Sequence, residues 1–118
     1  MMSQADLVWN RAALEQGGRN PLAGDRHIVA LIALHSVLMN GGLEHAMDSL
    51  TSNEFQAGVA GFRFLGMNDV AHVLESAAAS TSVESFEDEY LRLVPDDACI
   101  ADSFERVFAD SPELFGLL

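Results

Sequence analysis

The stretch from Ile28 to Met39 is apolar on nearly every side of a helix, interrupted only by His35 and Ser36. A helix without a polar face has to be surrounded by other elements, so the segment of about 26–39 is expected at the centre of the domain. At twelve residues the run is too short to span a bilayer, which takes roughly 20. The chain of 118 residues fits a single domain, 1–118, and is long enough to bury a core without a disulfide or metal staple.

The remaining segments repeat the helical period, and no alternating strand pattern competes with it. Ser3 can cap a first helix running to about Glu15, with Leu7, Trp9, Ala13 and Leu14 as its apolar candidates and Gly17-Gly18 as its stop. Asp25 is expected to cap the central helix, and Asn40-Gly41-Gly42 to end it, because Asn and Gly tolerate the left-handed conformation that closes a helix. A short helix follows from Leu43 to about Leu50. Asn53 is then a cap for a helix with Phe55, Val59, Phe62 and Leu65 on one stripe, stopped by Gly66. Gly58 and Gly61 inside that helix read as close-packing positions. Asn68 or Asp69 caps the next helix, whose buried side is Val70, Val73, Leu74 and Ala77.

Residues 77–83 form a small-residue hinge, after which the chain changes character. Phe86, Tyr90, Leu93 and Val94 share one helical face; Pro95 interrupts; Asp96 or Asp97 starts a helix bearing Ile100, Phe104, Val107 and Phe108. Ser111-Pro112 opens a last short turn with Leu114 and Phe115. The expected architecture is all-α, six or seven helices around the central one.

Charge divides the chain unevenly. Residues 1–74 hold seven carboxylates and four arginines, whereas residues 75–118 hold eleven and two; there is no lysine, and the formal net charge is −12. A chain this acidic is repelled by nucleic acid and by anionic membranes, so any charged partner should be basic. Glu84, Glu87, Asp88, Glu89, Asp96, Asp97, Asp102 and Glu105 fall mostly opposite the apolar stripes and are the candidate partner-binding face. Asp110 and Glu113 continue it. A solvated face is the commoner meaning of such a pattern. A nucleic-acid-like surface is the sharper one: carboxylates four residues apart on a helix are separated by about 6 Å of rise, and phosphates two nucleotides apart by roughly 7 Å.

Little else carries chemistry. Asp69, His72 and Glu75 lie along one side of a helix, and Glu44, His45 and Asp48 form a second small group, but neither has the two-histidine spacing of a helical zinc site. Surface residues are the commoner reading of both, and no metal or cofactor is expected. His35, inside the apolar helix, is better explained as a hydrogen-bonded core residue than as a base. Cys99 is expected as a small buried hydrophobe, and a single cysteine suits a reducing, cytoplasmic compartment. Trp9 and the phenylalanines read as core. No nucleophile motif or phosphate cradle is present, so the chain is expected not to be an enzyme.

The run of the apolar helix into Asn40-Gly41-Gly42, followed by Leu65-Gly66-Met67 and the small-apolar helix with Ala71, Val73 and Leu74, resembles a bacterial all-helical family of DNA mimics. The resemblance covers roughly residues 25–110. That family carries an aromatic residue after the second glycine and a Gln-aromatic pair beyond it; here those positions read Leu43 and His45-Ala46-Met47. The resemblance implies Asn40, Gly41, Gly42 and Gly66 as motif residues. It also implies a non-enzymatic acidic protein that occupies the DNA-binding surface of a basic protein such as a transcription regulator. An immunity protein or antitoxin against a basic toxin is the alternative, and a small metal-dependent enzyme using Asp69, His72 and Glu75 the least favoured. With 49% apolar residues the domain has enough apolar surface to form a homodimer.

Overall fold

The computed structural model describes residues 3–79 and 83–118, with side chains at all of them except 83–85. It has six helices: α1 (Gln4–Glu15), α2 (Ala23–Ser49), α3 (Ser52–Phe64), α4 (Asn68–Ala78), α5 (Val83–Leu93) and α6 (Asp97–Asp110), then a 3-10 turn at Pro112–Leu114. No strand occurs among the described residues. The hinge expected at 77–83 is only partly in view: Ala77 and Ala78 end α4, and 80–82 lie outside the described residues.

The apolar helix is the axis of the fold. Ile28, Leu31, Leu34 and Leu38 are buried, and α2 packs against α1, α3, α5 and the terminal turn. It is not wholly enclosed, since Ala33, Ser36 and Met39 remain exposed. The helix is also longer than the apolar run. It spans 27 residues, but Gly42 interrupts it with φ 79° and ψ −170°, so a first segment of 23–41 and the short helix expected after it meet at a kink. By length and composition alone α2 could cross a bilayer; here its buried stripe faces the bundle.

Helix starts differ from the sequence expectation at three places. Asp25 does not cap α2 from outside; the N-cap is Leu22, and Asp25 sits one turn in, accepting the Leu22 N–H at 3.0 Å. Helix α3 begins at Ser52 and is capped by Thr51, not Asn53, because Thr51 finds Glu54 three residues on and the two form a reciprocal capping box. Asn68 is inside α4, where Met67 stands at the N-cap without a side-chain bond. On α1 the apolar face also turns: Val8 and Ala12 are buried with Trp9 and Ala5 partly so, while Leu7 and Leu14 face solvent and Ala13 is exposed. The α1 stop comes one residue before Gly17-Gly18, at Gln16 in the left-handed conformation.

The glycines of α3 behave as expected. A Cβ on Gly58 would lie 2.6 Å from the Leu34 Cβ, and one on Gly61 would lie 2.5 Å from the His27 carbonyl oxygen. The α2–α3 contact is therefore backbone against side chain and backbone against backbone. Trp9 packs on Phe104 with ring centroids 5.3 Å apart, and Phe104, Phe108 and Phe115 continue that cluster. Cys99 is half-buried, its thiol donating to the Leu93 carbonyl at 3.7 Å.

The Thr51 cap has a measurable share in stability. Glu54 is held below its ordinary carboxyl value first by the Thr51 backbone N–H and then by its hydroxyl. A depressed folded-state value stabilises above the ordinary 4.5 and is lost as pH falls through the folded value. Thr51→Ala removes the hydroxyl that accepts the Glu54 N–H and should cost about 1 kcal/mol in urea titrations at neutral pH, the usual cost of a lost cap. Its deficit against wild type should narrow as the titrations are repeated at falling pH.

Candidate functional site

The carboxylates proposed from sequence as one face sort into two groups. Asp96 is used as the N-cap of α6, its Oδ1 accepting the Cys99 N–H at 3.1 Å. Asp97 accepts from His35 Nε2 at 2.8 Å, and Glu89 pairs with Arg92 one turn on in α5. These three are engaged locally. The second group is Glu87, Asp88, Asp102 and Glu105, with Asp110 and Glu113 beyond; all are exposed and none has a polar partner among the described residues. Glu84 lies outside the described side chains. The free carboxylates thus occupy the outer sides of α5 and α6, opposite the buried Phe86, Tyr90, Ile100 and Phe104, with Glu113 beyond them on the 3-10 turn.

The position of Asp97 follows from helical phase. It precedes Ile100 by three residues and Phe104 by seven, which puts it on the margin of the buried stripe. There it meets His35, whose other nitrogen, Nδ1, lies 2.7 Å from the Tyr90 hydroxyl. A carboxylate only accepts, so Nε2 carries the proton in the neutral ring, and Nδ1 accepts the Tyr90 hydrogen. Burial first, then the Asp97 and Cys99 charges, push the Tyr90 hydroxyl well above its ordinary value, which keeps it a donor. His35 is thus the hydrogen-bonded core histidine expected from sequence, and it links α2, α5 and α6. The Asp97 side chain is 86% exposed, so solvent screens the pair and it supplies orientation more than energy.

The remaining candidates do not converge. Asp69, His72 and Glu75 are all exposed on α4, and Glu75 is turned to Arg63 of α3, which lowers its carboxyl value. Glu44, His45 and Asp48 are exposed on the second segment of α2, where His45 Nδ1 meets the Ser49 hydroxyl at 3.3 Å. Among the described residues no three His, Cys, Asp or Glu side chains come together as a metal cluster. Of the motif residues, Asn40 and Gly41 are exposed at the α2 kink, Gly42 forms it, and Gly66 ends α3 with φ 77°.

One buried polar cluster had not been anticipated. Arg11 of α1 donates to Asp25 Oδ1 at 2.9 Å and to the carbonyls of Gly116 and Leu117 at 2.9 Å each, while Asp25 Oδ2 accepts the Gly116 N–H at 2.7 Å. Asp25 is fully buried. Its place directly after the turn 19–24 was the available signal, but an Asp three residues before the apolar run at Ile28 also matches a cap, and that meaning masked the other.

The molecule is therefore a small helical bundle with a free carboxylate face on its last two helices. The sequence pattern of the DMP19-like protein family matches residues 22–116, and the chain belongs to that family. No curated protein and no solved structure matches it.

Proposed function

We propose that this chain is a non-enzymatic, cytoplasmic protein-interaction module whose free carboxylate face occupies the DNA-binding surface of a basic protein, such as a transcription regulator. The observation that carries this reading is the set of exposed, unpartnered carboxylates on α5, α6 and the terminal turn, in a chain of the DMP19-like family. Six exposed acids with no internal cation present a surface potential that attracts a basic protein and repels nucleic acid and anionic membrane. Association steered this way is fast at low salt and slows as salt screens the field.

The test is competition. The chain should displace a captured basic regulator from its own DNA in a mobility-shift assay. Asp102→Asn with Glu105→Gln and Asp88→Asn should weaken that displacement about tenfold, the order expected when several charge contacts are lost together. Unchanged displacement by the triple variant would sink the assignment of this face. A basic toxin in place of a regulator, neutralised without competition for DNA, would make the chain an immunity protein instead.

A further inference from the structure

Between the end of the first α2 segment and α5 lies a groove of about 360 Å³. Its floor and walls are Leu38, Met39, Gly42, Phe86, Tyr90 and Leu91, and Glu87 stands at its rim. Met39 and Leu91 are about half exposed, at 53% and 48%, so the groove brings together two of the large apolar side chains that the fold leaves in water.

The electrostatics of the rim are unbalanced. The segment 23–41 stops at the Gly42 kink, and the carbonyl end of a helix carries partial negative charge. The Glu87 carboxylate lies against that same place, so close that a Cβ on Gly42 would collide with its Oε1. The second α2 segment starts at the same kink with its N–H end, so the partial charges of the two segment ends oppose each other there and the net negative charge is that of Glu87. Glu87 has no cation or donor among the described residues, and helix α5 carries Glu84, Asp88 and Glu89 besides, against Arg92 alone.

An apolar trough with an unpartnered carboxylate at its rim matches one kind of side chain: a long apolar stem with a cationic head. We infer that the α2–α5 groove receives an arginine side chain of a basic protein partner, with its stem on Leu38, Met39 and Leu91 and its guanidinium on Glu87 at the rim. A guanidinium suits the place better than an ammonium, since it is more weakly hydrated and gives a carboxylate two donors in a plane. The inference rests on the proposed role of the acidic face and deepens it. The outer carboxylates steer the partner, and the groove fixes its register.

The experiment titrates a labelled peptide of alternating arginine and alanine into the full chain, followed by fluorescence anisotropy at low and high salt. Leu91→Ser and Met39→Ser change no charge and alter half-exposed positions, yet each should weaken binding about tenfold, as expected for a contact at the anchor of an interface. Glu87→Gln should weaken it at least as much and should still do so at high salt. Asp102→Asn with Glu105→Gln should cost only about threefold, a loss that salt erases. Wild-type affinity in both serine variants overturns the groove; if the Asp102/Glu105 pair still weakens binding, the acidic face stands without it. No binding of the peptide by the wild type overturns both. Peptide binding that falls as protein concentration rises, with dimers in sedimentation, would assign the groove to a second copy and overturn the inference.

Discussion

Asp25→Ala is expected to destabilise the protein by about 3–5 kcal/mol, the range for removing one partner of a buried ion pair. Asp25 is fully buried and receives three donors: Arg11, the Leu22 N–H and the Gly116 N–H. Alanine would take this acceptor from all three at once. It would also leave the Arg11 guanidinium with only the Gly116 and Leu117 carbonyls, while its Nε is already buried without a partner. Asp25→Asn keeps the shape and one acceptor, so it should cost less. Arg11→Met combined with Asp25→Asn should cost less than the sum of the two single changes, because no charge then remains unpaired. Urea denaturation followed by circular dichroism measures all four. A loss below about 1 kcal/mol for Asp25→Ala would be that of an ordinary hydrogen bond, and would mean the cluster is not buried as described.

The second large effect is expected at Gly61. Alanine there should lower stability by about 2–3 kcal/mol, the upper part of the overpacking range, and the melting temperature by roughly 10 °C. The added methyl would meet the His27 carbonyl oxygen at 2.5 Å and the Leu31 Cβ at 2.9 Å. Neither is the end of a flexible side chain, so α3 has to move off α2. The methyl's gain in helix propensity, about 1 kcal/mol, offsets only part of the loss. The His27 ring, stacked on Phe64 at 4.6 Å, would shift with it. A melting temperature equal to or above wild type in thermal unfolding would show that the glycine does not set the helix spacing.

Most of the fold was readable from apolar period alone. Phe55, Val59, Phe62 and Leu65 are buried as one stripe, and Ile28 to Leu38 supply the axis, because one face of a helix in a small domain has only one place to go. Helix α1 was misread because Leu7 and Leu14 outrank Val8 and Ala12 in hydrophobicity. The approach of α1 to its neighbours is set instead by Arg11 reaching Asp25, and that contact selects the smaller residues for the interface. The caps at Thr51 and Leu22 were missed for a related reason: Asn53 and Asp25 are good capping residues, but cap choice depends on which residue finds its partner three positions on.

The acidic face was legible in outline but not in detail. Composition located nine of the twelve net charges after residue 74. It could not separate Asp96 and Asp97, which serve the fold, from Asp102 and Glu105, which face outward. For Asp97 the phase relative to Ile100 and Phe104 contained the answer. For the α2–α5 groove nothing local did, since Gly42 and Glu87, 45 residues apart in sequence, meet only through the packing of their two helices.

The polar knot at Arg11 joins the first helix to residues 105 and 106 positions further along the chain, whereas the Gly58 and Gly61 contacts join two consecutive helices. Closing so long a loop is entropically expensive until the intervening chain is already in place. The α2–α3 pair can therefore nucleate the structure, and the knot ties only after the rest has condensed. An interaction absent from the transition state slows unfolding without hastening folding. In this protein the knot is thus a latch on the lifetime of the native state, set apart from the helices that determine how quickly that state is reached.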